Sequence, residues 1–597
     1  MKRACSRVVL GGRMSRLRLS MAPLGDQKKR LWLGMVLTMC AGTVSAAPPP
    51  GVSPASPAAD TILRNGEIKL PDGWAHALAV SHGVIVAVGD EGAVDRYRAS
   101  GTKVVDLNGA TVLPGLHDMH VHPLMAGQTQ LQCMFPQGSS EAVVVEAIRK
   151  CASAHARGEW IVGGQWDTSS LGAHPDWKAL DKAAPDNPVA LTDISLHGLW
   201  VNSAALRLAN ITAATANPPG GVIEKDAKGE PTGVLRESAG ALVRTRIPAY
   251  TLEQNAKALS WSMKLMMSYG ITSYTDALVD ESALKAYALL ADRGELKQRV
   301  KACLVWGRSL LTAGDAPHTD YIILRNLYAR ERFSPSCIKI LLDGVPTDGH
   351  TAAMVEQYAD AKSPDDPRAK GLLMVPSAEL KKALIDFDAQ GFTVKMHAAG
   401  DGAVRAGLDA IEAARRANGF SGLMHEVAHN SFVQVSDIRR ARDIAATFEM
   451  SPYIWYPNPI IPDVAKAVGS ERMKRWIPVK EAIDAGALVV PGSDWSVVPS
   501  VNPWIAIETL VTRQQPGGGK EELGAAEKIT LSQAIDLFTV NSAREMGDRT
   551  RVGTLERGMV ADLIVLDRNP YRIPVTQVHD TKVTMTMING EMVYGAN

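Results

Sequence analysis

Short apolar runs separated by amphipathic stretches set the rhythm of the central part of the chain. Eight runs read as buried strands: TVLPGLHDMHVH, GITSYTDALV, RVKACLVW, CIKILLDG, FTVKMHAAG, GLMHEVAHNSF, AATFEMSPYI and ALVVPGSDWS. Helix-like segments separate most of them, among them 253–269, 377–390, 403–418 and 471–485. Apolar strands alternating with helices predict a parallel sheet covered on both faces, and eight of them predict a closed (β/α)8 TIM-like barrel. Both flanks differ. ADTILRNGEIKL, HALAVSHGVIVAVGD and KVVDLNGATVLP before the barrel, and GTLERGMVADLIVLDRN and KVTMTMINGEMVYGAN after it, are short, alternating and broken by Gly or Asn-Gly, as strands of a small β domain are. Chain ends often lie close together, so 60–112 and 546–597 are expected to form one β-sandwich beside a barrel spanning 113–545. The turn-rich stretch 160–250 (AHPDW, NPPGG, KGEPTG) reads as an insertion after the first barrel strand.

The first residues follow another pattern. Residues 1–30 hold nine Lys or Arg and one acid, an apolar run of 16 residues follows from Leu31 to Ala46, and AAPPPG comes next. A basic region, a short apolar stretch and small residues predict a secretory signal peptide cleaved near Ala46; a membrane-spanning helix needs about 20 apolar residues. The protein is therefore expected to be periplasmic or secreted, with no stable membrane span after cleavage. The stretch ahead of Met21 is long for a leader, so Met21 is an alternative start to Met1. Residues 47–59, rich in Pro, Ala and Ser, read as a linker. The whole chain carries a formal charge of +1, and removal of the leader turns this to −7. No basic stripe for nucleic acid remains.

Four cysteines survive cleavage. Cys133 and Cys151 flank a helix-like stretch and can close a local loop. Cys303 and Cys337 sit near the starts of two strands and can meet only if those strands are neighbours. Export permits such bonds, and the absence of C-x-x-C argues against a thiolate zinc site.

Active sites of this barrel lie at the C-terminal ends of its strands. Those ends carry His120 and His122 on the first strand, Lys339 on the fourth, His397 on the fifth, His429 on the sixth and Asp494 on the eighth. Residues two apart on a strand face the same side, so His120 and His122 can bind one cation together. Several imidazoles and a carboxylate suit zinc, iron or manganese better than calcium or magnesium.

PGLHDMHVHP, GGQWD, HGLWVNSAAL, PPGGVIEKDAKGEPTGVL, YGITSYTDA, CIKILLDG with TAAM, MHAAGDGAV, AHNSFV, PGSDWSV and GTLERGMVADLIVLDRNP stand in this order along the chain. Together they resemble the metal-dependent amidohydrolase superfamily, in its amidohydrolase-3 (YtcJ-like) branch, over nearly all of the chain beyond the leader. The resemblance implies a divalent metal site, with zinc the expected ion at one or two per chain, formed by His120, His122, Lys339, His397, His429 and Asp494. In two-metal relatives the fourth-strand lysine is carboxylated and bridges the ions. Lys339 has an alternative role as the buried partner of Asp343. Many relatives carry Glu-His on the sixth strand, whereas this chain has Ala428-His429, which leaves His425 as the alternative ligand. His117 is expected near the metal only by proximity.

The chemistry expected is hydrolysis of a carbon–nitrogen bond in an amide, N-acyl, N-formyl or cyclic amide. A metal lowers the pKa of bound water from about 15.7 toward about 7, and Asp494 serves as general base and then acid. The same residues would serve an esterase or lactonase, and a non-catalytic binding or regulatory relic of the fold is a third reading. Trp166, Trp455, Tyr456, Trp495 and Trp504 are candidates to line an apolar or aromatic small-molecule site, with core packing as the alternative for each. SPYIWYPNP is the candidate specificity wall, and His350, in DGVPTDGHTAAM, is a candidate substrate contact. A homodimer is the expected assembly.

Overall fold

The computed structural model describes residues 58–595 except 137, 167, 172–173, 194–197, 219–220, 308–319, 348, 367 and 459. The leader, its cleavage site and most of the 47–59 linker lie outside the described residues.

Eight parallel strands form one sheet in chain order. They are β1 (Leu116–Val121), β2 (Ile271–Val279), β3 (Arg299–Val305), β4 (Phe333–Leu341), β5 (Thr393–Ala398), β6 (His425–His429), β7 (Ala446–Met450) and β8 (Leu488–Pro491). Seven fall within one of the apolar runs, and β4 begins four residues ahead of CIKILLDG. The sheet closes just past the end of β8, where Asp494 N donates to His120 O and His122 N donates to Trp495 O, both at 2.7 Å. The result is a (β/α)8 barrel.

Alternation along each strand sorts its side chains. Ile338 and Ile340 of β4 join the main apolar core against the helices, while Lys339 between them turns inward. The surrounding helices include Leu252–Ser268, started by a Thr251/Gln254 capping box, and Ser377–Ala389 and Asp401–Asn418. The helix expected over 471–485 is broken into Ser470–Met473 and Val479–Asp484. Ile477 takes a left-handed φ of 49° there, and the following Pro478 has no N–H with which to continue a helix.

Two mixed sheets make the small β domain. One orders Val84–Gly89, Ala77–Ser81, Thr61–Arg64 and Lys103–Asp106. The other pairs strands from both chain ends: Thr111–Pro114 lies antiparallel to Leu563–Leu566, with Leu113 opposite Ile564. Leu63, Ile68, Leu78, Val80, Leu563 and Val565 fill the space between the sheets. The chain passes from this domain into β1 through Gly115. A Cβ there would stand 2.3 Å from Thr272 Oγ1, so only glycine fits.

Between β1 and β2 stands a fourth sheet of six strands, Cys133–Met134 to Pro231–Glu237. Its edge strand lies ahead of residue 160, where the turn-rich pattern starts, and a Cys133–Cys151 disulfide ties that edge to the helix Glu141–Ala154. The second disulfide joins Cys303 and Cys337, register partners on adjacent β3 and β4. No helix among the described residues is long and apolar enough to cross a membrane.

Candidate metal centre

His120 and His122 leave the end of β1 on one face, their ring centroids 5.3 Å apart. Asp494 arrives from the loop after β8 with a left-handed φ of 57°. That conformation costs a non-glycine residue roughly 1–2 kcal/mol, and here it aims the carboxylate at the β1 pair. Asp494 Oδ1 lies 3.0 Å from His122 Nε2 and 3.5 Å from His120 Nε2. One ligand atom from each of these three buried residues lies within 4.8 Å of the others. Gly492 makes the approach feasible, because a Cβ there would stand 2.3 Å from His120 Cβ.

Lys339 Nζ of β4 lies 3.3 Å from His120 Nε2. The His120 and His429 centroids are 4.7 Å apart, and those of His429 and His397 are 4.1 Å apart. The structure thus brings all six residues of the expected ligand set to one end of the barrel. The neighbour weighed for Lys339 is engaged elsewhere: Asp343 accepts hydrogen bonds from the N–H groups of Ala353, Ala399 and Gly400.

Geometry also separates His429 from His425. On β6, Glu426 faces Lys395 across the barrel interior, and His425 points outward to Asp388 of the helix Ser377–Ala389 at 2.9 Å. Simple alternation would send His429 outward with His425. The left-handed φ of 80° at His429, followed by 52° at Asn430, turns the ring back over the barrel end.

Electrostatics prepare the group for a cation. Burial, reinforced by the Lys339 charge, holds His120 well below the usual imidazole range and His397 at about 4. Burial and the neighbouring His397 do the same for His429. Burial and the nearby Lys395 lower Lys339 to about 8. The imidazoles of His120, His397 and His429 are therefore neutral, with lone pairs available. His429 Nδ1 meets Ser451 Oγ at 2.9 Å, but its buried Nε2 has no hydrogen-bond partner. Leaving such an atom unmet costs roughly 1–3 kcal/mol, and a divalent ion shared with the adjacent imidazoles would meet it. The residues fit a metal.

Beneath this layer lies a second polar layer. Lys395 Nζ donates to Met119 O at 2.9 Å and to Glu426 Oε2 at 2.5 Å. Lys301 lies 3.7 Å from Glu426 and bonds Glu545. Glu449 Oε2 is 3.7 Å from Lys395 and 2.5 Å from His120 Nδ1. Burial lifts Glu449 to about 8 against the pull of Lys395, whereas Lys395 and Lys301 overcome burial at Glu426 and hold it low. Sequence reading passed over these residues, although all but Glu545, which ends the helix Ser542–Glu545, carried a visible signal: a charge inside an apolar strand run, as in TFEM, HEVAH, TVKMH and VKACL.

Other candidates fall away from the cluster. His350 is held within its own loop by Asp360 at 2.7 Å and by stacking on Tyr358. Trp166 is buried in the fourth sheet, donating to Leu191 O. Trp455 is fully buried and donates to Thr509 Oγ1, and Trp504 is fully buried as well. These three rings are core and offer no face to a ligand. Trp495, next to Asp494, packs on Trp261, and Tyr456 is half-buried against the main core. His117 is buried, and desolvation and the Arg299 charge hold it at about 3.

A barrel with histidines and a carboxylate gathered at its strand ends defines a metal-dependent hydrolase architecture, and comparison with known proteins names the family. The Amidohydrolase family profile matches residues 103–594. The chain belongs to the amidohydrolase family, in its YtcJ-like branch, a class of hydrolases acting on carbon–nitrogen bonds other than peptide bonds, and the family implies a divalent metal. It is 30% identical to the Bacillus subtilis (strain 168) protein YtcJ over 543 residues, covering 87% of this chain and 96% of that one. It is 26% identical to the N-substituted formamide deformylase of Arthrobacter pascens over 546 residues, 90% and 98% of the two chains. Among solved structures, an uncharacterized metal-dependent hydrolase from Pyrococcus horikoshii OT3 superposes with a TM-score of 0.70 at 25% identity, covering 86% of this chain and 99% of that one.

Proposed function

We propose that the protein is an exported zinc hydrolase that cleaves the carbon–nitrogen bond of an N-formyl or N-acyl compound bearing an apolar substituent. One or two ions would be held by His120, His122, Lys339, His397, His429 and Asp494, with Lys339 carboxylated in the two-ion form. The observation that carries this reading is Asp494 standing 3.0 Å from His122 and 3.5 Å from His120, with the unmet His429 Nε2 beside them.

When bound, the ion supplies Lewis acidity that favours hydroxide over water near neutral pH and polarises the carbonyl oxygen. Asp494 takes a proton from the attacking water and returns it to the departing nitrogen. Amide and water thus become acid and amine. The buried neutral imidazoles limit the site's solvation, which keeps each electrostatic contact strong.

Loops after β4, β7 and β8 support an apolar substituent. Val345, Leu372, Leu373, Ile460 and Val497 are exposed there. Val345 follows Gly344, whose carbonyl lies 3.1 Å from His397 Nε2. Val497 lies one turn past Asp494, to whose carbonyl its N–H donates. The name of the formamide deformylase agrees with such a substrate. Export is supported by the leader-like sequence of 1–46 and by two disulfides, which persist in oxidising compartments.

The test is metal analysis of the purified protein, followed by hydrolysis of an N-alkyl or N-aryl formamide and its matched formate ester. One or two zinc ions per chain, loss of activity on chelation and preference for the amide are expected. Metal-free activity, or a preference for the ester, would overturn the proposal.

A further inference from the structure

A neutral imidazole carries one proton. If His120 binds a cation through Nε2, the atom that faces Asp494 and Lys339, its proton must sit on Nδ1 and needs an acceptor there. That acceptor is present: His120 Nδ1 lies 2.5 Å from Glu449 Oε2. The other imidazoles of the cluster are served differently. His429 Nδ1 meets the neutral hydroxyl of Ser451, His397 Nε2 meets the Gly344 carbonyl, and His122 Nδ1 has no partner. Asp343 Oδ1 stands 3.6 Å from His397 Nε2, whereas His120 has a carboxylate behind its ring at hydrogen-bond distance.

We infer that Glu449 is a positioning residue for the metal site, fixing the tautomer and orientation of His120 and backed by the ion chain beneath it. This rests on the metal-centre reading above. Three features of the fold hold Glu449 in place. It rises from β7, where it is fully buried. Gly492 on the neighbouring strand end leaves it room, since a Cβ there would stand 2.5 Å from Glu449 Oε1. Lys395 lies 3.7 Å from the same oxygen that meets His120, and is itself tied to Met119 O and Glu426.

The charges of this chain are unequal. Glu426, Glu449 and Glu545 face Lys301 and Lys395, so three carboxyl groups meet two ammonium groups. A carboxylate in this position strengthens the imidazole as a donor and prevents it from turning its N–H toward the metal.

The experiment measures zinc affinity of the apo protein by competition with a chromophoric chelator, for wild type, His120→Ala, Glu449→Gln and Glu449→Leu. Removing a carboxylate behind a ligand histidine weakens metal binding about 10- to 100-fold, and that loss is expected for Glu449→Leu. Glu449→Gln is expected to fall between it and wild type, because the amide oxygen still accepts the Nδ1 proton but carries no charge. Should Glu449→Leu not fold, the isosteric glutamine variant carries the test alone, with its apo unfolding curve as the control. Zinc affinity of Glu449→Gln within twofold of wild type, while His120→Ala has lost binding, would overturn the inference and leave the metal centre standing. A wild type that binds no zinc would overturn both.

Discussion

Two polar layers occupy the same barrel, and they obey different rules. In the lower layer each ammonium group faces a carboxylate: Lys395 faces Glu426 and Lys301 faces Glu545. In the upper layer Lys339 faces an imidazole nitrogen, four imidazoles crowd together, and two buried nitrogens, His429 Nε2 and His122 Nδ1, are unmet. Inward parity supplies both layers, since Lys395 and His397 lie two residues apart on β5. What separates them is pairing. An ammonium group answered by its own carboxylate holds a structure, whereas a surplus of lone pairs asks for a cation. The contrast implies that damage to the upper layer should cost activity, and damage to the lower layer should cost stability.

The largest effect expected is at Asp494. Asp494→Asn keeps the shape of the side chain but removes the group that would move the proton. A drop of about 10²- to 10⁴-fold in kcat is expected, with thermal unfolding close to wild type. Zinc content measured on the same sample separates loss of proton transfer from loss of metal. Activity within tenfold of wild type would remove Asp494 from the mechanism.

In the lower layer the order should reverse. Lys395→Met leaves Glu426 without its nearest ammonium group, and an orphaned buried charge costs about 3–5 kcal/mol. Urea unfolding of the metal-free protein checks this. Adding Glu426→Gln should recover part of the loss, because the exposed need is then removed from both sides. A Lys395→Met protein as stable as wild type would mean that the two layers do not differ as described.

Much of the architecture was legible because strands buried on both faces are written as continuous apolar runs. All eight barrel strands could be read that way, and so could the imidazoles and carboxylate that interrupt their C-terminal ends. The lower layer was equally visible as charges in those runs, but the pairing of Glu449 with His120 spans 329 positions in the chain, and no local pattern encodes it. His429 shows another limit. Alternation along β6 assigns its ring to the outer face, and only the backbone turn at φ 80° reverses this. Aromatic residues misled for the opposite reason: Trp166 and Trp455 lie near loop sequences, yet their rings are spent on packing and on hydrogen bonds to Leu191 and Thr509.

The smallest effect expected concerns a buried carboxyl that belongs to neither layer. Asp276 of β2 accepts a hydrogen bond from Tyr287 of the helix Glu281–Asp292 at 2.8 Å. Burial lifts it to about 6, although Tyr287 and the nearby His122 pull it down. A folded-state pKa above the unfolded value of 3.8 means that the fold favours the protonated form. Its stabilisation is fully present below pH 3.8 and is lost as pH rises through about 6. Asp276→Asn mimics the protonated carboxyl and can still accept from Tyr287. The variant should therefore match wild type near pH 3.5 and exceed it at pH 8, by on the order of 2 kcal/mol. Comparing the two proteins at each pH cancels the titration of Asp118 and Asp343, which burial also raises. Denaturant midpoints at both pH values measure the difference. An advantage for the variant that is the same at both would show that the fold does not raise the pKa of Asp276.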